Sequence, residues 1–165
     1  MATATATAAA ARLSHLVDLD TDASIIEAAA KRVRRAFMHG SLATIGWVTC
    51  VYINRTHTLG NKIRTNLSNL DIRTAEDRAL LKDIAQNLSQ AAIAFEGAYN
   101  ESERSRLVKL PVFGPKLMAS LEDLVCTFED ISETAALGAS QAFAASVRDE
   151  LRKNLKDAAL EHATA

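Results

Sequence analysis

The side chains that could carry chemistry are four histidines and two cysteines, scattered along 165 residues. The histidines are His15, His39, His57 and His162. None has another histidine four residues away or a glutamate three residues before it, so neither the helical zinc pattern nor the di-iron carboxylate pattern occurs. Gly-rich phosphate loops, the nucleophile elbow and the C-x-x-C motif are also missing. These absences favour a non-enzymatic protein without a cofactor or a metal, and they leave open an active site assembled from distant residues.

The two cysteines favour no redox role. Cys50 lies in an apolar run and is expected to pack as a small hydrophobic residue. Cys126 has acidic neighbours in sequence, which oppose formation of a thiolate. Two cysteines do not make a disulfide framework, so we expect a reducing, cytoplasmic location.

Composition predicts an all-α chain. Alanine and leucine are abundant, while there are only two prolines and six glycines. The net charge of −1 gives no general attraction to nucleic acid, which is therefore an unlikely partner. The most apolar run, Leu42 to Ile53, is 12 residues long and shorter than the ~20 residues that a membrane-spanning helix needs.

Helix signals divide the chain into three long segments. Ser24 followed by Glu27 has the spacing of a capping box, and Thr74 followed by Asp77 resembles another. Apolar residues at steps of three and four keep one face in phase between residues 26 and 70. A further stripe from Leu117 to Ala135 repeats as heptads, the spacing of a coiled coil. With a proline-containing linker at 109–115, the predicted helices are 24–70, 74–108 and 116–160.

We therefore predict an elongated antiparallel bundle of three long helices. It would be subdivided into four or five helices if the chain breaks at Gly40 and Gly138, and Gly60 is a weaker candidate break. Residues 12–160 form the single domain, in which Arg12 to Asp20 makes a short helical turn packed on the bundle. An Ala/Thr-rich disordered tail, 1–11, precedes it, and 161–165 are frayed.

A basic cluster, Lys31, Arg32, Arg34 and Arg35, precedes Gly40, and three interpretations are open. It could be a solvated helix end stabilised by the helix dipole. It could bind phosphates of lipid or nucleic acid. It could pair with acidic residues of a later helix, within the molecule or in a second copy; these are Glu122, Asp123, Glu129, Asp130 and Glu133.

The run from Leu42 to Ile53 is apolar on nearly every side of a helix. Ile45, Val48 and Tyr52 are predicted to face the bundle, whereas Trp47, Cys50 and Val51 point elsewhere. A helix that is apolar all round is central in a core or covered by a partner. Two explanations are open. Either the N-terminal segment Leu13–Leu19 folds over that face, or Trp47 and Val51 form an oligomer or membrane contact.

The first functional hypothesis is a helical bundle that acts through helix-face contacts, either by self-association as a homo-oligomer or as a structural or adaptor protein with a helical partner. The alternative is a peripheral membrane-binding or membrane-perturbing bundle, because a basic cluster precedes a short apolar helix. A further alternative is a small-molecule-binding or catalytic bundle with a cavity lined by groups such as Glu96, Tyr99 or His57. The candidate interaction residues are Lys31, Arg32, Arg34, Arg35, Trp47 and Val51.

Overall fold

The computed structural model describes the backbone of residues 2–70 and 72–164 and the side chains of residues 10–70 and 72–154. This part of the chain holds four α-helices, one short 3₁₀-helix and no strand. The α-helices are α1 (Ala2–His39), α2 (Leu42–Leu67), α3 (Ala75–Ser102) and α4 (Phe113–Thr164), and the 3₁₀-helix is Arg106–Lys109. The predicted all-α fold is confirmed, with a break at Gly40 and none at Gly138.

The chain reverses direction between α1 and α2, so the predicted long helix 24–70 is wrong. Ser41 caps α2, because its side-chain oxygen accepts a hydrogen bond from the backbone N–H of Thr44 at 3.2 Å. Lys62 near the end of α2 contacts Asp22 of α1 at 2.5 Å, which places the two helices antiparallel. The apolar stripe stays in phase across the break because both helices bury a face in the same core.

The second pair of helices forms another antiparallel hairpin. Ser132 of α4 donates a hydrogen bond to the backbone carbonyl of Ala85 in α3 at 2.8 Å. The rings of Phe95 in α3 and Phe128 in α4 stack with centroids 5.8 Å apart, and both are fully buried. Residue numbers increase from Ala85 to Phe95 along α3 while those of their partners decrease from Ser132 to Phe128 along α4. The two helices are therefore antiparallel.

The two hairpins pack side by side, so that α1 has the parallel helix α3 as a neighbour. Arg12 of α1 contacts Asp77 at the start of α3 at 3.2 Å. Further along α1, Asp20 accepts a hydrogen bond from Asn87 of α3, so α1 and α3 are parallel. α2 packs on α1 and α4, while α3 packs extensively on the same two helices from the other side. This order leaves α1 and α4 on opposite corners of the bundle.

The start of α1 differs from the prediction. Ser24 does not cap a helix, because α1 runs straight through it, and its hydroxyl accepts a hydrogen bond from Asn87 at 3.1 Å instead. The segment 12–20 is not a separate turn but part of α1, and Leu16 and Leu19 are fully buried. The spacing of the leucines before Ser24 fits one longer helix as well as a separate turn. The capping-box spacing of Ser24 and Glu27 therefore predicted a helix start where the helix in fact continues.

Helix α1 also continues back through the Ala/Thr-rich stretch to Ala2, where the sequence predicts a disordered tail. Alanine has the highest helix propensity, and extending an existing helix is less costly than starting one. The side chains of residues 2–9 and of residues from 155 onward lie outside the described ones. The division of the chain into a domain and two tails therefore stays a prediction.

The limits of α3 and α4 follow local signals. The capping box at Thr74 and Asp77 is present, with both reciprocal hydrogen bonds in place. α3 ends at Ser102, six residues before the predicted 108, and the 3₁₀-helix follows. α4 begins at Phe113, which puts Pro115 in the first turn, where a missing N–H costs nothing. It continues past Gly138, where an added Cβ would touch Leu81 at 3.3 Å.

Asp77 links helix capping to a partly buried ion pair with Arg12, and we expect its replacement to lower the stability of the fold. Burial acts to raise the pKa of this carboxyl, but hydrogen bonds from the backbone N–H groups of Thr74 and Arg73, with the charge of Arg12, leave the pKa lowered. Asp77→Ala should reduce the free energy of unfolding by about 3 kcal/mol at neutral pH, because a cap is lost and Arg12 loses its partner.

Because the pKa of Asp77 is lowered on folding, its stabilising effect is present above the ordinary carboxyl pKa of 3.8 and is lost as the pH falls through the folded-state value. Urea unfolding should therefore show a smaller difference between wild type and Asp77→Ala at about pH 3 than at about pH 7. The control is Asp83→Ala, an exposed carboxyl on the same helix. Equal losses in the free energy of unfolding for Asp77→Ala and Asp83→Ala would contradict the prediction.

Two glycines of α2 should respond oppositely to alanine. A Cβ on Gly60 would lie 2.8 Å from Cε1 of the buried Phe128 ring, whereas a Cβ on Gly46 would meet nothing within 4 Å. Gly60 is thus a packing residue and not the weak helix break that the sequence suggests. Gly60→Ala should lower the free energy of unfolding by about 1–3 kcal/mol through overpacking. Gly46→Ala should raise it by about 0.5–1 kcal/mol through helix propensity.

Denaturant unfolding of both glycine variants beside wild type provides the measurement. Stabilisation by Gly60→Ala, or the same sign for both variants, would show that α2 does not pack against Phe128 as described.

Candidate functional site

An open groove lies between the C-terminal part of α1 and the first half of α2, and we call it the α1–α2 groove. Its volume is about 480 Å³. The residues that line it are Arg32, Arg35, Ala36, His39, Gly40, Thr44, Trp47, Val48 and Tyr52. Part of the basic cluster thereby meets part of the apolar run.

The α1 wall of the groove is cationic. Arg32, Arg35 and His39 recur at steps of three and four, so they share one helix face. Arg32 donates a hydrogen bond to the Tyr52 hydroxyl at 2.8 Å, and its guanidinium carbon lies 5.7 Å from the centroid of that ring. Arg35 forms no ion pair or hydrogen bond with the described residues, and no carboxylate lines the groove.

The α2 wall is aromatic and partly exposed. Trp47 is 62% exposed and meets Tyr52 edge-on, with ring centroids 6.4 Å apart. Val51, one helical turn after Trp47, is 40% exposed. Ile45 and Val48 are buried as predicted, because they form the side of α2 that packs into the core.

The segment Leu13–Leu19 does not cover Trp47, so that explanation of the apolar run is wrong. Leu16 and Leu19 are buried in the core, on a part of α1 remote from the Gly40 turn. Cys50 is exposed and does not pack as a small hydrophobic residue. The outward face of α2 is therefore uncovered by any described part of the chain.

The rest of the basic cluster points away from the groove. Lys31 pairs with Glu27 one turn earlier at 2.5 Å. Arg34 lies against α3, where a Cβ on Gly97 would be 2.6 Å from its Nε atom. The predicted interaction residues Lys31 and Arg34 are thus separated from Arg32 and Arg35, because successive positions of a helix face different directions.

Pairing of the basic cluster with the acidic face of α4 inside the molecule is also wrong. Asp130 pairs with Arg64, and Asp123 lies 3.6 Å from the His57 ring, both on α2. Among the described side chains no ion pair joins the cluster to α4, because α1 and α4 occupy opposite corners of the bundle. Pairing of the two faces between copies stays a prediction.

The groove belongs to a positively charged end of the bundle. We define this basic end as residues 31–52 and 100–118, which are the Gly40 turn with its flanking helices, the end of α3, the 3₁₀-helix and the start of α4. It holds eight of the chain's 19 Lys and Arg but only two of its 20 Asp and Glu. The exposed apolar side chains at this end are Met38, Leu42, Trp47, Val51, Leu110 and Val112.

A second cavity, of about 560 Å³, joins the two halves of the basic end. Met38 and Leu42 line one side of it, and Arg104 and Arg106 line the other. The sequence analysis missed the cations from 104 to 116, because they are isolated along the chain. Only the fold brings them to the same end of the bundle as the basic cluster.

Other features of the surface are less developed. A depression of about 240 Å³ between α3 and α4 is lined by Glu96, Tyr99 and Cys126 among others, but His57 is not part of it. Among the described residues, no group of three His, Cys, Asp or Glu side chains is placed to hold a metal ion. Within that same part of the chain, no helix has the length and apolar character to cross a membrane.

Comparison with known proteins found no matching family model, no similar curated protein and no similar solved structure. Function is therefore inferred from the geometry and charge of the surface alone.

Proposed function

We propose that the chain is a non-enzymatic helical bundle that binds an anionic membrane surface peripherally through its basic end. The observation that carries this proposal is the coincidence of cations and exposed apolar side chains at one end. Trp47, Leu42 and Val112 are all about half or more exposed there. Tryptophan and aliphatic side chains insert at the level of lipid headgroups, while Lys and Arg remain beside the phosphates.

The charge distribution favours one orientation of the protein on the membrane. Each Lys or Arg near an anionic membrane contributes about 1 kcal/mol of attraction. The basic end holds six more cations than anions, although the whole chain carries a net charge of −1. Lys31 pairs with Glu27, just outside this range, so we expect the attraction to come mainly from the remaining cations. The remainder of the molecule is net acidic and is repelled by the same surface, which favours contact by the basic end alone.

Vesicle sedimentation tests this proposal. Wild type should bind vesicles of phosphatidylcholine containing phosphatidylglycerol, and not vesicles of phosphatidylcholine alone. Raising NaCl from about 0.1 M to about 1 M shortens the screening length from ~10 to ~3 Å, so binding should weaken. Arg106 and Lys109 have no ion-pair partner among the described residues. Reversing both by Arg106→Glu with Lys109→Glu should reduce the affinity by about tenfold or more, at ~1 kcal/mol per charge.

The matched control reverses two exposed cations outside the basic end, Lys82→Glu with Lys153→Glu. This control should bind anionic vesicles nearly as well as wild type, because its changes face away from the membrane. No binding of wild type to anionic vesicles, or equal losses in both double variants, would rule the proposal out.

Self-association through α4 is a second candidate, supported by a separate observation. α4 passes the start of α3, because Gly138 already lies beside Leu81, near the beginning of that helix. Beyond this point Phe143, Val147 and Leu151 form an exposed stripe at steps of four. A second copy that packs its α4 antiparallel would cover both stripes.

Light scattering across micromolar concentrations should detect this dimer. Val147→Asp with Leu151→Asp should make the protein monomeric, because it buries unpaired carboxylates in the contact. The control is Leu137→Asp, an exposed leucine of α4 outside the stripe, which should leave the dimer intact. A monomer for wild type at every concentration would exclude self-association.

A further inference from the structure

We infer that the α1–α2 groove binds the phosphate monoester headgroup of an anionic phospholipid, with the start of the acyl chain against Trp47 and Val51. This inference rests on the proposed membrane binding and deepens it, because it names the lipid class and the residues that select it. Attraction by the basic end alone would not distinguish one anionic headgroup from another.

The cations of the groove are arranged for a phosphate. Arg32 is held in place by its hydrogen bond to Tyr52, which leaves other donors of its guanidinium available. Arg35 is unpaired among the described residues, so it loses no intramolecular partner on binding. Guanidinium groups donate paired hydrogen bonds that match phosphate oxygens, which an ammonium group does less well.

The groove also favours a doubly charged anion. His39 adds a third side chain with an N–H donor to the two arginines, and none of the described residues that line the groove is acidic. Thr44, in the first turn of α2, also lines the groove, but its hydroxyl shares a hydrogen bond with the capping residue Ser41 at 2.9 Å, so the cationic groups carry the argument. A phosphate monoester carries about −1.5 to −2 at pH 7, more than the single charge of a phosphodiester, so it gains more from these groups.

The size and apolar side of the groove indicate a lipid as the source of the phosphate. Its volume of about 480 Å³ lies in the range of sites that hold small organic ligands. A free phosphate would contact the cationic wall but leave the ring of Trp47, which is 62% exposed, uncovered. Val51 extends the apolar surface by one turn beyond Trp47 on the same side of α2. The acyl chain would lie along this surface, from Trp47 toward Val51.

Trp47 is the single tryptophan of the chain and lies in the groove wall, so its fluorescence reports directly on occupancy. The probe is short-chain phosphatidic acid, kept below the concentration at which it forms micelles. We expect a saturable change in Trp47 emission at one lipid per protein. Short-chain phosphatidylglycerol and inorganic phosphate should each bind at least about tenfold more weakly than phosphatidic acid. Phosphatidylglycerol lacks the phosphate monoester, and inorganic phosphate lacks the acyl chains.

Arg35→Gln should lower the affinity for monomeric phosphatidic acid by about tenfold or more, because a charge-assisted hydrogen-bonding pair is lost. Arg35→Lys keeps the charge and should fall between Arg35→Gln and wild type. The matched control is Lys109→Gln, in the basic end but outside the groove. It should keep wild-type affinity for the monomeric lipid while it weakens binding to anionic vesicles. Circular dichroism of each variant checks that the helices are retained.

The outcomes separate the two proposals. Equal response to phosphatidic acid and phosphatidylglycerol, or no saturable response, overturns the headgroup site even if anionic vesicles still bind. Equal affinity for inorganic phosphate and phosphatidic acid overturns the inference that the bound phosphate belongs to a lipid. Saturable binding of monomeric phosphatidic acid without vesicle binding supports the groove and overturns peripheral membrane docking. A fluorescence change that follows dimerisation in light scattering shows that a second copy occupies the groove, which overturns the inference.

Discussion

The reversal of the chain at Gly40 and Ser41 is the constraint on which the rest of the molecule depends. A Cβ at Gly40 would lie 2.5 Å from the backbone oxygen of Ala36, so a larger residue does not fit this turn. Ser41 then starts α2 by capping it. The reversal lays the apolar run of α2 beside the basic cluster of α1. Without it, Arg32 and Tyr52 would be twenty residues apart on one extended helix.

α2 is held in the bundle by buried apolar side chains, such as the fully buried Ile63, and by a close approach at Gly60. Gly60 allows α2 to approach the buried ring of Phe128, which stacks on Phe95. The buried hydroxyls of Thr49 and Thr56 donate to carbonyls of their own helix, so α2 enters the core without unpaired hydroxyls. One side of α2 thus completes the fold, and the opposite side remains available for contacts.

The separation of charge along the bundle arises from topology and not from the sequence order. The cations before Gly40 and those after Ser102 are about seventy residues apart in the chain. They lie at the same end of the bundle because α1 and α3 are parallel and both helices end there. Exposed apolar side chains of the turn and the 3₁₀-helix lie among them. A surface with both properties is suited to the boundary between water and lipid.

The sequence by itself determined the helical class, the capping box at Thr74, the continuation of a buried face along each helix, and the outward direction of Trp47 and Val51. These depend on local periodicity and on short-range hydrogen bonds, which can be read from neighbouring residues. Only the tertiary structure decided that α2 folds back on α1, that Gly60 serves packing, and that Asp130 pairs with α2. The same 3.6-residue repeat describes one long helix and two antiparallel ones, because periodicity carries no information about the direction of the next helix.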